Sequence, residues 1–226
     1  MNKLQIVQRL HRESGRSSAP PTSITAATVS QLRLFDAVND FWKDLQLESS
    51  KDWKWMRQPL TATLTPGVAR YTGAALGAAL GVVNFSRWRP EADDYYVRCS
   101  PPGSTQAWWQ VEQMTLDAFK QARYDVLVNS STPVAWTIDN DQTLWLWPQP
   151  AAAYGIKIDA ISKPIDLVAD TDVPGMPDEF HMLLVWGALL TIAITDAAPE
   201  VMQKAQMHHD MLRQRLVLDQ GRVPCL

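Results

Sequence analysis

The chain has 226 residues, of which 46% are hydrophobic and 20% charged, and its formal net charge is -3. A chain of this length can bury one sizeable core, and we expect a single domain over residues 1–226. The acidic balance excludes a general positive field, so binding to nucleic acid without regard to its sequence is not expected. The cysteines, Cys99 and Cys225, are far apart, which argues against a disulfide framework and favours a reducing compartment.

The sequence predicts neither export nor a membrane span. The segment MNKLQIVQRLHRESGR is polar and basic and has no apolar stretch before a cleavage site, so it does not resemble a secretory signal. The uncharged run Met182–Thr195 has 14 residues, whereas a bilayer-spanning helix needs about 20. We therefore predict that Phe180 to Ile194 forms a helix buried in protein.

The N-terminal part predicts two amphipathic helices. In the first, apolar residues recur every three positions over Leu4–Leu10, and the pair Ser14–Gly15 ends the helix. The second begins at Val29, after a capping box formed by Thr28 and Gln31. Its predicted buried face comprises Leu32, Phe35, Val38, Trp42 and Leu45.

From Pro59 to about Ser162 the apolar period changes toward two, which predicts a β-rich insert. The predicted strands are Leu60–Thr65, Gly81–Trp88, Asp94–Cys99, Trp108–Gln113, Val134–Asp139, Thr143–Trp147 and Tyr154–Ser162. AWTID and QTLWLW predict a hairpin with a tight primed turn, because Asn140 and Asp141 tolerate positive φ. A short helix is predicted from its cap residue Thr115 to Ala122.

Two further helices are predicted near the C-terminal end. The acids Asp178 and Glu179 occupy the first turn of the apolar helix, where they complement the helix dipole. Pro199 interrupts that helix, and a last helix spans about Glu200–Asp219 before Pro224. Its predicted apolar stripe comprises Val201, Ala205, His208, Leu212 and Leu216.

These elements predict an α+β fold, in which a helical bundle of N- and C-terminal helices encloses a β-rich insert in sequence. The helical part covers residues 1–50 and 177–219, the insert covers about 59–162, and a C-terminal arm covers 220–226. In GAALGAALG, from Gly73 to Gly81, three glycines predict a mobile loop.

The ten tryptophans are the main compositional anomaly. Seven lie in or beside the insert: Trp53, Trp55, Trp108, Trp109, Trp136, Trp145 and Trp147. An indole ring stacks well on sugars, but it is equally a residue of cores and of subunit interfaces. We favour core or interface roles, since a sugar site also needs convergent polar groups that a sequence does not reveal.

No catalytic, cofactor or metal site is predicted. The acids between Asp166 and Glu179 raise the question of a calcium loop, but the EF-hand spacing is absent, so turn and cap roles are expected. His208 and His209 are adjacent and point about 100° apart on a helix, which prevents joint chelation. Nucleophile, phosphate-loop and dinucleotide signatures are also absent, so no enzyme is expected.

The order of the elements resembles the head-to-tail adaptor family of tailed bacteriophages. The similar segments are VSQLRLFDAVNDFWKDLQ, the tryptophan pair in DWKW, LTATLTPGVARY, TPVAWTIDNDQTLWLWPQPAAAYGIKIDAI and DTDVPGMPDEFHMLLVWGALLTIA. The last is the most specific, because it resembles the acidic, Pro-rich loop that leads into the family's central helix. The resemblance covers about Val29 to Leu218, and GAALGAALG departs from it.

The resemblance implies a non-enzymatic subunit of a ring, expected as a dodecamer under a dodecameric portal. The implied partners are the portal protein and a tail or nozzle protein, with DNA passing through without specific binding. The implied location is the virion neck, after synthesis in the host cytoplasm. Alternatives are another virion or tail protein, or a Trp-rich carbohydrate-binding module.

Adaptor termini commonly reach toward portal subunits, so the resemblance favours docking over a frayed end for the C-terminal arm. Its apolar residues are too few to fold alone. The interface residues expected against the portal or a neighbouring subunit are Arg222, Val223, Pro224, Leu226, Trp53 and Trp55.

Overall fold

The computed structural model describes residues 1–48, 53–73, 84–88, 97–104, 106–123, 131–196 and 198–220. Helices lie at both ends of the chain and strands lie between them, which confirms the predicted α+β class. The chain divides into two compact units. The helical unit comprises Met1–Trp55 with Pro164–Leu226, and the β unit comprises Met56–Lys163. That both belong to one domain stays a prediction.

The described residues form five α-helices and nine β-strands. The helices are α1 (Lys3–Glu13), α2 (Val29–Leu47), α3 (Leu116–Arg123), α4 (His181–Thr195) and α5 (Pro199–Gln220). The strands are β1 (Arg57–Thr63), β2 (Arg70–Thr72), β3 (Phe85–Trp88), β4 (Arg98–Ser100), β5 (Trp109–Gln110), β6 (Glu112–Gln113), β7 (Ala135–Ile138), β8 (Thr143–Trp147) and β9 (Gly155–Ser162). None of the helices in these described ranges is both long and apolar enough to cross a membrane.

Helix α2 begins as predicted, because the backbone N–H of Thr28 donates to Oε1 of Gln31 over 2.9 Å. The predicted face is buried over most of its length, from Phe35 to Leu45. Leu32 was predicted to be buried and is exposed. It lies in the first turn of α2, before the helix reaches the core.

Helix α4 is the centre of the helical unit and packs against α1, α2 and α5. Its side chains are buried on several faces, including Leu183, Leu184 and Leu189, which confirms the predicted buried helix except at its end, where Ile194 is exposed. Asp178 and Glu179, which were predicted in its first turn, lie instead in a 3₁₀ turn, Asp178–Phe180, that precedes it. Because neighbours surround α4, its apolar residues need no single stripe.

Helix α5 starts one residue earlier and ends one residue later than predicted. Pro199 is its first residue, where a missing N–H costs no hydrogen bond. Gln220, assigned above to the arm, is its last residue and is buried. On its inner stripe His209 is buried, whereas the predicted His208 is only half-buried.

Strand β9 organises the first sheet of the β unit. It pairs antiparallel with β1 along its whole length, from Arg57 opposite Ile161 to Thr63 opposite Gly155. On its other edge β3 pairs with residues 160–162 and β4 with residues 155–157. Strand β1 includes Pro59, which the prediction placed outside the strand. As an edge strand, β1 tolerates a residue without an N–H.

The second sheet has the order β2-β8-β7-β6, with β6 parallel to β7. The predicted strand Trp108–Gln113 is wrong as one element, because β5 joins the first sheet and β6 the second. The chain changes sheets at Val111, whose N–H donates to Val97 O over 2.9 Å. One cluster of buried side chains from both sheets forms the core, including Leu60, Leu144, Leu146, Ile156 and Ile158.

The β7–β8 hairpin is confirmed, but its predicted turn type is wrong. The left-handed residue is Gln142, with φ 58°, and not Asn140 or Asp141. Such a three-residue loop is a type I turn followed by a left-handed residue. Trp88 holds Gln142 in place, because its N–H and Nε1–H both donate to Gln142 oxygens, over 3.2 and 2.8 Å.

Strand β2 was not predicted, since three residues carry too little pattern. The predicted strands Gly81–Trp88 and Asp94–Cys99 lie partly outside the described residues, and so does all of GAALGAALG after Gly73. Helix α3 is confirmed, with the Ala118 N–H donating to Oγ1 of its predicted cap, Thr115, over 3.3 Å.

Candidate docking site

Three tryptophans stack at the end of α2, and two of them are predicted interface residues. The rings of Trp53 and Trp55 are 4.7 Å apart at an interplanar angle of 12°, and Trp42 lies 6.3 Å from Trp55. Nε1–H of Trp53 donates to Leu45 O over 2.7 Å, which fixes that ring against the last turns of α2. Trp53 is buried within the unit, whereas Trp55 is partly exposed.

The same end of the helical unit holds the last turn of α5. Nζ of Lys54 donates to Asp219 O over 2.5 Å, so the residue between the two tryptophans contacts the end of α5. Arg213 and Glu48 form an ion pair of 2.7 Å nearby along the same two helices. The residue that precedes the predicted arm, Asp219, therefore contacts the residue between Trp53 and Trp55.

Trp55 is anchored less completely than its neighbours. Its Nε1 atom is buried and has no acceptor among the described residues. The predicted residues Arg222, Val223, Pro224 and Leu226 lie outside the described residues. Of the predicted interface residues, the structure thus brings together Trp53 and Trp55, and their role in docking stays a prediction.

Sequence reasoning missed Lys54 and the place of Trp42 in this stack. Trp42 was assigned only to the core face of α2, and its Nε1–H indeed donates to Ile165 O over 2.7 Å. Nothing in the sequence shows that residue 54 meets residue 219, because that contact depends on how α2 and α5 end. We call Trp42, Trp53, Trp55 and Lys54 the tryptophan cluster.

The tryptophans of the β unit are engaged by neighbouring side chains. The Arg70 guanidinium lies 3.8 Å from the ring centre of Trp145, and Nζ of Lys157 lies 4.1 Å from that of Trp108. Cations at this distance bind the negative face of an indole. These two ring faces are therefore occupied, which disfavours their use for stacking on a sugar.

Two acids of the loop before α4 have structural roles: Asp172 holds a turn, as predicted, and Asp170 anchors the loop to Ile24. Oδ2 of Asp172 accepts from the N–H groups of Val168 and Ala169, over 2.7 and 2.8 Å. Asp170 accepts from the N–H of Ile24, and Asp166 pairs with Lys43 at 3.0 Å. In the described ranges, no group of three or more potential metal ligands gathers at one point.

The buried histidine His181 lies at the start of α4. Its Nε2 lies 3.0 Å from Met176 O, and Asp178 lies 3.5 Å from Nδ1. Burial disfavours the charged imidazolium and lowers the pKa of His181, although the Met176 carbonyl and Asp178 act in the opposite direction. His11, also buried, has a lowered pKa for the same first reason.

Cys99 is a free, buried thiol on β4. Burial raises its pKa to about 12, so the reactive thiolate is scarcely populated at neutral pH. Cys225 lies outside the described residues. Cys99 is therefore a core residue and not a nucleophile.

A family model described as the SU10 adaptor protein matches residues 1–224. The match spans the helical unit, the β unit and the tryptophan cluster between residues 42 and 55. The chain belongs to the SU10 adaptor protein family. This confirms the resemblance to the phage adaptors drawn from the sequence. No curated protein matches the chain in sequence.

Membership of the SU10 adaptor family makes the chain a structural adaptor protein of a phage. It extends the resemblance beyond Val29–Leu218 to include α1 and most of the arm. The part of the family match that precedes α2 corresponds to a packed element, since α1 buries Ile6, Val7 and Leu10.

Proposed function

We propose that this SU10-family chain is a head-to-tail adaptor that assembles as a ring between the portal and the tail of a tailed phage. The observation that carries the proposal is the family match over residues 1–224, which includes both compact units. We further propose a dodecameric ring matched to a dodecameric portal, with a tail or nozzle protein on its other side. The protein is made in the host cytoplasm and resides in the virion neck.

The distribution of exposed apolar side chains supports an assembly role. Of the thirteen large apolar residues that are exposed in the described ranges, eleven lie in the helical unit. They are Val29, Leu32, Leu47, Ile165, Val168, Val173, Ile194, Met202, Met207, Met211 and Leu218. Apolar surface in this amount favours contacts with other proteins.

The charge distribution supports passage of DNA without specific binding. The sequence of the helical unit has twelve Lys and Arg against fifteen Asp and Glu, and that of the β unit has nine against nine. Neither unit has the basic excess that holds DNA by displacing counterions. A wall without that excess lets phosphates pass without retarding them.

We assign docking on the portal to the C-terminal arm together with the exposed side of Trp55. The assignment is supported by the contact of Lys54, in the tryptophan cluster, with Asp219, which directly precedes the predicted arm. Aromatic anchors contribute much of the energy of protein interfaces. The predicted contact residues Arg222, Val223, Pro224 and Leu226 supply one charge and a short apolar segment.

The proposed role has no catalytic step and uses no cofactor or metal. The tryptophan geometry favours it over a carbohydrate-binding module, because Arg70 and Lys157 lie on the ring faces of Trp145 and Trp108. Other tryptophans, among them Trp88 and Trp136, are buried in the core.

The proposal is tested by mixing the full chain with portal rings of the same phage and weighing the products by native mass spectrometry. We expect a complex in which the adaptor copies form a closed ring on the portal. Deleting Arg222 to Leu226 should weaken attachment while leaving the melting temperature nearly unchanged, since the arm adds no core.

The matched control replaces residues 222–226 by Gly and Ser at the same length. It separates the effect of the arm's side chains from the effect of its length. Both altered arms should attach less tightly than the natural one. A chain that shows no attachment to portal rings contradicts the adaptor proposal. A truncated chain that attaches as tightly as the full chain contradicts the docking role of the arm.

A further inference from the structure

Helix α5 exposes an apolar face on the side opposite its buried stripe. Met207, Met211 and Leu218 share this face, because steps of four and seven residues return to the same side of a helix. They are 63%, 42% and 76% exposed, whereas Ala205, His209 and Leu216 face the core. Methionine side chains are flexible and polarisable and adapt to surfaces of varied shape. We call these three residues the methionine face.

A second exposed apolar feature lies on the loop before α4. Val168 and Val173 are 72% and 58% exposed and lie on either side of the turn that Asp172 holds. The turn is also anchored to α1, because the N–H groups of Lys3 and Leu4 donate to Asp172 O and Asp170 O, over 2.8 and 3.1 Å. We call Val168 and Val173 the valine knob.

The valine knob is prepared for binding before a partner arrives. Its backbone is fixed by four hydrogen bonds, two to the Asp172 carboxylate and two from α1. Valine has few rotamers, so ordering these side chains costs little entropy. A rigid apolar knob fits an adaptable apolar face better than it fits a second rigid knob.

The charge of the acidic loop complements one edge of the methionine face. The sequence from residue 164 to residue 203 contains no Lys or Arg, and five acids lie between Asp166 and Glu179. On α5, Arg215 is exposed, four residues after Met211, and forms no ion pair with another described residue. Asp210, which is also exposed, lies at the other edge of this face, so the acidic loop is attracted to the Arg215 edge and repelled by the Asp210 edge.

We propose that the valine knob of one copy of this chain binds the methionine face of the next copy. The two surfaces differ in shape and charge, so the contact is head-to-tail, which is the type that closes into rings. This inference rests on the proposed ring and names the contact that builds it. Loop and helix both belong to the helical unit, so one rigid unit carries both halves of the contact.

Disulfide trapping tests the contact on full-length protein. Cys225→Ser provides the background, and Cys99 is buried and does not compete. Val168→Cys or Val173→Cys is mixed with Met207→Cys, Met211→Cys or Leu218→Cys. These combinations sample different alignments of the valine knob along the methionine face. We expect at least one mixture to give covalent dimers at a several-fold higher yield than either variant alone. Val168→Cys and Met211→Cys in one chain should give a ladder of multimers.

The matched control is Asp44→Cys, an exposed position on α2 outside both surfaces, mixed with Met211→Cys. Mixtures that give no more dimer than this control, at every register, overturn the proposal. Met211→Cys that links to itself as readily as to the knob also overturns it, because the face would then pair with its own copy.

Portal binding by the wild-type chain, measured in parallel, separates this inference from the proposed function. Attachment to the portal without knob-to-face cross-links leaves the adaptor role standing and overturns this contact. Cross-links without portal attachment support the contact and contradict the adaptor role.

Discussion

The helical unit and the β unit bury their apolar side chains in different ways. In the helical unit a single helix, α4, is surrounded by α1, α2 and α5. In the β unit two sheets share one cluster of side chains that alternate along their strands, such as Leu144 and Leu146 on β8. The β unit exposes two large apolar residues in its described part, and the helical unit exposes eleven.

Among the described residues, the β unit thus exposes few large apolar side chains and the helical unit exposes many. The net charge of the whole sequence, -3, equals that of the helical ranges, since the β unit's charges balance. We therefore expect the contacts of the proposed assembly mainly in the helical unit.

The largest expected loss of stability comes from substitutions that leave a cavity in either core. Leu184→Ala in α4 and Ile156→Ala in β9 remove fully buried side chains and should each lower the free energy of unfolding by about 2 to 5 kcal/mol. Leu190→Ala, at a half-buried position, should lower the free energy of unfolding less. Ile194→Ala, at an exposed position, should change it little. Denaturant titration of each variant measures these differences.

The same variants test whether the two units form one domain. If they do, calorimetry of the wild type shows one transition, and Leu184→Ala and Ile156→Ala both shift it. Two transitions, each moved by only one of the substitutions, would establish independent domains and remove the prediction of a single one.

Close packing around a glycine provides the next comparison. A Cβ at Gly187 would overlap the ring of Phe41, and one at Gly155 would overlap Oγ of Ser100. Gly187→Ala and Gly155→Ala should each cost about 1 to 3 kcal/mol through overpacking. Gly175→Ala is the control, because its Cβ would lie at an ordinary 3.7 Å from Trp55 Cδ1. Equal melting temperatures for all three variants would contradict this account.

Each unit also has a turn held by one aspartate. Asp139 accepts from the N–H groups of Asp141 and Thr143 and from Nε1–H of Trp145, over 3.0, 2.8 and 3.0 Å. Asp139→Ala should cost about 1 to 3 kcal/mol, because these donors lose their acceptor. Asp139→Asn keeps one acceptor oxygen and should lose less. The melting temperatures of the two variants measure these losses. Equal losses would contradict the role of the carboxylate.

The smallest expected effect is a pH dependence confined to the helical unit. Burial lowers the pKa of His181, so below the ordinary value of about 6.5 the unfolded chain binds more protons than the folded one. The contribution of His181 to the free energy of unfolding is therefore fully present above that pH and decreases as the solution is acidified. Melting temperatures from about pH 8 to about pH 5 should fall less steeply for His181→Gln than for the wild type. An identical slope would exclude His181 as the source.

The helices were predictable because each carries its own signal. The uncharged run of α4 and the capping residues of α2 show that a helix forms and where it lies in the chain. The change of sheet at Val111 left no signal, because the apolar pattern continues through it. Gln142 was missed since its left-handed conformation depends on Trp88, fifty-four residues earlier.

The candidate site was predictable only in its residue types. The tryptophan pair in DWKW stands out in the sequence, but its contact with the end of α5 is tertiary. The methionine face was overlooked because the apolar stripe of α5 was taken to be the side with Leu216. Met207 and Met211 lie off that stripe, and this was the available signal for a second apolar face.

The arrangement of β9 has a consequence for the order of events on the ribosome. Its partners β1, β3 and β4 are all made earlier, and Arg57 waits for Ile161, which follows 104 residues later. Until β9 is made, these strands lack the strand with which they pair. Their apolar side chains therefore cannot yet be buried in a complete sheet. Helix α4 follows β9 within twenty residues, so α1 and α2 also wait for a late element. Neither core therefore closes before β9 and α4 have been made, and a chain cut short before residue 155 completes neither.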